Sequence, residues 1–571
     1  MLAVFETVDW AIVIVYVLVA ASPGFLVRKY IRSQADFLVA GRTLSVYLAT
    51  ATLTATEMGL VTVMYMAQQG FLHGFSAFTL GLIGCAAFMF TGVTGFLVWG
   101  FRASGVTTFA EYYERRYGRG VRLLGGSILA AAGILNYGVF IRVEADFVRI
   151  LTGMQDLTLS SADGWTMQVP ALQLVMTILV ALVLGYTLLG GMVSVVITDY
   201  IQFIVLTAGM ALTTYLVLSD GNIGGFAGIA SAVAEHRPVY GMNPFKSVNA
   251  GGMLLGMGGI FLAWQLMHFT ATSCWQTTAF RTAAVDSPTT ARWMYMMTAV
   301  NYAGRMIIPM FWGVAGMTFF ALSGGLGEVK SIEAMPRYLS VLLPTGAVGF
   351  LVAGMLAALM STHSGYLLAW SGVLVEDLIA PVLAYCGVNL KDRTRLWITR
   401  FFILCLGAYL VIFGLWYEVK SDVWSFLAVT GTMYFAGAAT LLGFGLYWKR
   451  ANIGGAFAGL LAGAAPGLFQ LVLHISSLIV EPGFSEPGHM AQHWIPQLGK
   501  SLDTWCLSMG MKFEALVGLV SYPMGILGMI VGSLLYARIR GAGPPGVVRE
   551  GDRGFGETRT AFESPEQEGL R

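Results

Sequence analysis

The sequence predicts an all-α polytopic membrane protein, and three observations carry that prediction. Of 571 residues, 56% are hydrophobic and only 11% are charged, far from the charge content of a soluble domain. The apolar residues fall in runs of about twenty, the length at which a helix crosses the hydrocarbon core with its backbone groups satisfied internally. The 71 glycines would weaken soluble helices, but they suit membrane helices that pack closely through small residues.

Taken in chain order, the runs give about thirteen spans, near 8–27, 44–69, 74–100, 121–149, 168–190, 195–217, 249–272, 293–321, 343–375, 394–418, 422–447, 453–477 and 515–537. Glu6 and Asp9 precede the first span in place of a basic region, and no small-residue cleavage pattern follows it, so it reads as a retained anchor. Basic residues gather in alternate connections: Arg28, Lys29, Arg32 and Arg42; Arg102, Arg115, Arg116, Arg119 and Arg122; Arg281 and Arg292; Lys391, Arg393 and Arg395; Lys449 and Arg450; Arg538 and Arg540. The opposite face holds fewer, so the N-terminus is expected outside and the C-terminus in the cytoplasm, in a plasma or inner membrane.

The connections 151–167, 218–248, 322–342 and 478–514 then lie outside, and the last, with His489, His493 and Trp494, reads as a solvated cover. Residues 107–118 read as a short amphipathic helix at the cytoplasmic interface, where tyrosines and arginines settle. The stretch 541–571, rich in Gly, Pro and Glu, cannot build a core and is expected to be a disordered cytoplasmic tail. Cys85, Cys274, Cys386, Cys405 and Cys506 are scattered, with neither a disulfide framework nor a metal-binding spacing.

Two spans carry glycine interruptions. Gly59 stands beside Glu57 in the second, and the seventh opens Gly251-Gly-Met-Leu-Leu-Gly-Met-Gly-Gly259. Paired broken helices near the midplane, one in each inverted repeat, are where secondary transporters bind solute and ion. The chain accordingly divides into a first span and linker (1–43), a first repeat of spans two to six (44–218), an outer loop (219–248), a second repeat of spans seven to eleven (249–450), two further spans with a long outer loop (451–540) and the tail (541–571).

The stretch Leu53-Thr-Ala-Thr-Glu-Met-Gly-Leu60 sets an acid, Glu57, and several hydroxyls at a depth where lipid makes them costly, so they must face a cavity or a partner. Thr52, Thr54, Thr56 and Thr62 can equally bond back to the preceding helical turn, and Glu57 can serve as a bond between helices. In the ninth span, Gly354-Met-Leu-Ala-Ala-Leu-Met-Ser-Thr-His-Ser-Gly365 places Ser361 and Thr362 mid-helix, with Ala358 about one turn earlier. A hard monovalent cation takes a small cage of carbonyl and hydroxyl oxygens. Ala55 and Met58 can offer carbonyls from the broken span, and Ala358 can offer one beside the two hydroxyls. Asp199 shares a helix face with Gln202 near the end of the sixth span, and a helix cap paired with a cytoplasmic arginine also accounts for it.

Phe37-Leu-Val-Ala-Gly-Arg42, Ala55-Thr-Glu-Met58, residues 108–118, Gly190-Gly-Met-Val-Ser-Val-Val-Ile-Thr-Asp199 with Gln202, and Ala357-Ala-Leu-Met-Ser-Thr362 follow in an order and spacing by which the chain resembles the sodium:solute symporter family, from about Phe37 to Arg450. The resemblance implies a 5+5 inverted repeat of the leucine-transporter type, with Na+ as coupling ion. It implies a sodium site at Ala55, Met58, Ala358, Ser361 and Thr362, and it puts Asp199, with Ser361 and Ser364, on a second sodium site or an exit path. Gly365 stands where that second site calls for another hydroxyl.

For the solute, Glu57 and Thr62 are candidates beside the proposed sodium carbonyls. Arg142, near Glu144 and Asp146, can grip a carboxylate through a planar two-point contact, or pair internally with Asp146. Trp264 and His268 share a face of the seventh span, and aromatics there can stack on a sugar, close the cavity or simply pack. The family's Asn-Gln…Gln-Arg pattern survives only as Gln276 and Arg281, with Trp275 and Phe280 at the other places, which counts against a close sugar-transporting relation. His363 can titrate near neutrality, so proton coupling stays open.

The expected function is sodium-coupled import of a small polar organic solute by alternating access, with a carboxylate-bearing or zwitterionic solute favoured. A neutral sugar or polyol is the alternative, as is a transporter-like sensor acting through a separate partner. The expected partners are sodium, the solute and the lipid bilayer, with no nucleic acid and no obligatory protein. Paired carboxylates, a histidine–glutamate metal motif and a glycine-flanked nucleophile are all missing from the sequence, so no enzyme is expected.

Overall fold

A computed structural model describes residues 5–27, 34–160, 166–237, 241–243, 265–417, 423–479, 490–508 and 513–540. Among these the chain is helical except for short connections and one antiparallel hairpin, Leu157–Ser160 with Thr166–Val169, inside a connection expected to be loop. Ten helical segments of the described residues are long and apolar enough to cross a membrane. Their outward faces remain apolar, with Ile178, Val300, Ile412 and Leu527 more than half exposed. Hydrocarbon demands such a surface and leaves the backbone bonds to be closed within each helix.

Interruptions in the helices decide where polar groups gather. The second span is two helices, Val46–Glu57 and Leu60–His73, separated where Met58 leaves helical geometry (φ −102°, ψ 64°) and Gly59 is extended. A Cβ on Gly59 would stand 2.6 Å from Thr362 Oγ1, so glycine lets the break press against the ninth span. The fifth and sixth spans form one run, Ala171–Leu218, turning at Gly191 (φ 51°), whose missing side chain leaves room for the Phe37 ring. The ninth span is an uninterrupted helix, Ala347–Val373, that carries on through a wider turn over Leu374–Ile379.

Several expectations need correcting. The glycine-rich opening of the seventh span, with Trp264, lies outside the described residues. The break in that span that the structure does show comes later: helix over 265–271, a tight turn over Thr272–Cys274, extended Trp275, then a helix Gln276–Ala284. Thr272 and Ser273 hydroxyls donate to the carbonyls of Phe269 and Thr270, both at 2.6 Å, and such local bonds compete with the helical ladder. Arg281, expected in a cytoplasmic connection, therefore sits in the interior, fully buried.

The stretch 107–118 does form a helix, Phe109–Tyr117, but with Tyr112, Tyr113, Arg116 and Tyr117 buried against other helices. Thr108 donates to Asp377 at 2.7 Å, and Tyr117 donates to the Leu441 carbonyl at 2.7 Å. Burial pushes the phenols of Tyr112, Tyr113 and Tyr117 well above their ordinary value.

Asp9, read as a flank of the first span, is buried, and its carboxylate accepts from the backbone N–H groups of Gly346 (2.7 Å) and Gly349 (2.9 Å). It thus satisfies free donors where the ninth span begins, and a negative charge there suits the helix dipole. Short helices Gly225–His236, Ser331–Leu342 and Met490–Ser508 occupy connections expected to be outer loops. His489 and the side chains of His493 and Trp494 lie outside the described residues.

Candidate functional site

The first half of the second span packs against the Ala171–Leu218 run, the eighth-span helix Pro288–Leu322 and the ninth span. Two polar constellations result, one deep and one lining a cavity, and they share the break at Met58.

In the deep constellation, Ser361 donates to Asp199 Oδ1 at 2.6 Å and lies 3.4 Å from the Thr56 hydroxyl. Thr362 donates to the Thr56 carbonyl at 2.9 Å. The structure therefore brings the broken second span and the unbroken ninth span into contact, through Thr56 and Gly59 on one side and Ser361 and Thr362 on the other. Ala55, Met58 and Ala358 are buried beside these residues in sequence, and the Ala55 carbonyl accepts a long, 3.3 Å bond from the Met58 N–H.

Both hydroxyls place their protons on protein oxygens, which leaves their lone pairs able to face a cation. Hydroxyls and carbonyls at a helix break are the donors that a dehydrated alkali ion accepts. The residues present fit such an ion.

Asp199 is held by more than Ser361. The Thr52 hydroxyl donates to Oδ2, and the Arg281 Nη2 stands 3.5 Å from the same oxygen. Ser364, the other residue expected here, donates to the Ser361 carbonyl at 3.0 Å.

Thr56 and Thr362 also line a cavity of about 110 Å³, roomy enough for several waters or a small polar solute. Glu57, Thr62 and His268 line it, and Arg305, Asn136, Thr272 and the rings of Tyr65, Phe140, Trp275, Tyr302, Tyr366 and Trp424 join them. Glu57 is not a free acid. Its carboxylate accepts from Arg305 at 2.9 Å and from Thr278 at 3.2 Å, and Arg305 also donates to the Glu57 carbonyl. The same guanidinium sits 3.9 Å over the Tyr302 ring, so one arginine is held by a carboxylate and an aromatic face at once.

His268 Nδ1 lies 3.2 Å from the Tyr522 hydroxyl, which ties the cavity wall to the last span. Arg142 is placed elsewhere: it donates to the Gly414 carbonyl at 3.0 Å, on the tenth-span helix Asp392–Trp416, and does not line the cavity. Its expected internal partner, Asp146, pairs with Arg149 at 3.0 Å.

Sequence reasoning missed three features. Arg281 stood beyond the expected end of its span, and Arg305, within the eighth span, was not among the expected site residues. The third is a buried chain in which the Tyr137 hydroxyl lies 2.7 Å from His363 Nδ1, His363 Nε2 lies 2.5 Å from Glu144, and Glu144 accepts the Val61 N–H at 3.2 Å. The available signal was an ionisable side chain inside an apolar run, which marks a site by default.

Comparison with known proteins places this geometry. Residues 37–463 match the sodium:solute symporter family. Sodium/myo-inositol cotransporter 2 of Homo sapiens is 24% identical over 547 residues, covering 90% of this chain and 76% of that protein. The high-affinity proline transporter of Bacillus subtilis (strain 168) is 26% identical over 317 residues, 54% of this chain and 62% of that protein. Among solved structures, a substrate-bound, outward-open Na+-coupled sialic acid symporter superposes with a TM-score of 0.71 at 18% identity, covering 93% of this chain and 98% of that one, a likeness of fold.

Proposed function

The chain belongs to the sodium:solute symporter family, and from that premise we propose that it imports a small neutral polyhydroxy solute, a polyol or sugar, together with sodium. It is a polytopic membrane transporter and not an enzyme, and Na+ is its coupling ion. The observation that carries the choice of solute is the Glu57–Arg305 pair. With that arginine neutralised and Arg142 bonded to the tenth span, the cavity presents hydroxyls, an amide and aromatic faces, which suit a neutral ring bearing hydroxyls. This reverses the preference for a carboxylate that the sequence suggested. The myo-inositol cotransporter relatives point the same way.

In this reading sodium lies between Ala55 and Met58 on the broken span and Ala358, Ser361 and Thr362 on the ninth. It joins the two elements whose contact forms the cavity floor, so bound sodium orders the place where solute binds. Sodium and solute must then raise each other's affinity by the same factor. Release proceeds past Asp199 as the inner side opens.

Breaks at Met58–Gly59 and around Thr272–Trp275 fall in spans two and seven, which supports a 5+5 inverted repeat within about thirteen crossings. The basic connections support an outer N-terminus and a cytoplasmic C-terminus.

The test is uptake into proteoliposomes, with sodium or potassium outside, of labelled myo-inositol, mannose, proline and sialic acid. Sodium-dependent uptake of the polyol or sugar, and not of the charged solutes, is expected. Uptake confined to proline or sialic acid would overturn the proposed solute class.

A further inference from the structure

We propose that Arg281 is a tethered counter-ion standing where a second cation would bind at Asp199, so that the protein binds one sodium ion and not two. The inference rests on the sodium reading above. Asp199, fully buried, is surrounded by the hydroxyls of Thr52, Thr56 and Ser361. A carboxylate among hydroxyls is a set of hard oxygen donors that a sodium ion would otherwise take.

Arg281 takes it instead. Its Nη2 donates to the Thr56 hydroxyl and lies 3.5 Å from Asp199 Oδ2, and its Nε donates to the Thr52 carbonyl and hydroxyl, each at 3.2 Å. Nη1 donates to the Thr277 carbonyl at 3.0 Å, which anchors the side chain to its own helix. A guanidinium does not shed its proton in a protein, so this positive charge is permanent.

Gly365 makes the arrangement possible. A Cβ there would stand 3.0 Å from Arg281 Nη2 and 2.8 Å from Thr56 Cγ2. A side chain at 365, where the family resemblance calls for a hydroxyl beside a second ion, and the guanidinium compete for one space.

Charge gives the same answer. Asp199 and Arg281, both fully buried, cancel each other's charge, and a second sodium would enter as an uncompensated buried charge. The site at Ala55, Met58, Ala358, Ser361 and Thr362 differs, because neutral dipoles there take up one positive charge and the pair beside it stays neutral.

Sodium alone tests the inference: binding of radioactive sodium to the purified full-length protein by scintillation proximity, titrated to saturation. One ion per protein is expected, and two would overturn the inference while leaving the symporter reading intact. No specific sodium binding would defeat the sodium reading and the inference with it.

Arg281→Gln should raise the count to two, and Arg281→Gln with Asp199→Asn should return it to one. A count still at one in Arg281→Gln would overturn the inference. Should that variant not fold, Arg281→Lys carries the test. It keeps the charge, so the count stays at one, and a count of two would show that a positive charge at this position does not exclude the second ion.

Discussion

Glu57 and Arg305 meet at 2.9 Å inside the cavity, nearly buried, so removing one leaves the other worse off than removing both. Glu57→Gln should cost about 3 kcal/mol of stability, and adding Arg305→Met should recover much of it; thermal melts of the two single variants and the double variant measure that coupling. The same Glu57→Gln change frees a guanidinium towards the cavity, so competition by glucuronate against polyol uptake should rise in it. Unchanged competition would show that Arg305 does not face solute.

Glu57 stood out because an acid in an apolar run must face a cavity or a partner in lipid. Its partner was not, because no residue in one helix announces which residue of another it will meet. Arg281 was hidden for a different reason: a basic residue just past an apolar run looks like a cytoplasmic flank, and only the tight turn over Thr272–Cys274, with Trp275 extended after it, carries it inside.

At the scale of elements, the second half of the second span crosses the eighth span through glycines. A Cβ on Gly70 would lie 1.9 Å from the Met310 carbonyl oxygen, and one on Gly313 would lie 1.8 Å from the Ala67 carbonyl oxygen. Gly70→Ala or Gly313→Ala must push the facing backbones apart, at a cost of about 1–3 kcal/mol, whereas Gly185→Ala, with nothing within 4 Å, should be tolerated. Melting temperatures of the three variants check the contrast, and equal losses would refute it.

The break at Met58–Gly59 and the continuous ninth helix could be read from sequence, since glycine beside an acid marks one and an apolar run with two mid-helix hydroxyls marks the other. The turn over Thr272–Cys274 in the seventh span was not legible, because the hydroxyls of Thr272 and Ser273 redirect the backbone there with no glycine or proline to mark it. The helix Phe109–Tyr117 was legible, but its burial was not, because tyrosines and arginines suit both an interface and a set of specific buried bonds.

For the whole molecule, a neutral solute travelling with one sodium ion moves one positive charge in each cycle. An inside-negative potential of 100 mV then adds roughly 2.3 kcal/mol to the drive, so a potassium diffusion potential imposed with valinomycin should speed uptake. Uptake indifferent to that potential would contradict the charge count. The claim beneath all of this is that sodium binds where the broken second span meets the ninth.

The most direct test is the sodium concentration that half-activates polyol uptake in proteoliposomes, compared between the natural protein and Ser361→Ala. Losing an oxygen that faces a cation should raise that concentration about tenfold or more, with uptake largely restored at saturating sodium. An unchanged half-activating concentration would place the coupling ion somewhere other than Ser361 and contradict the account.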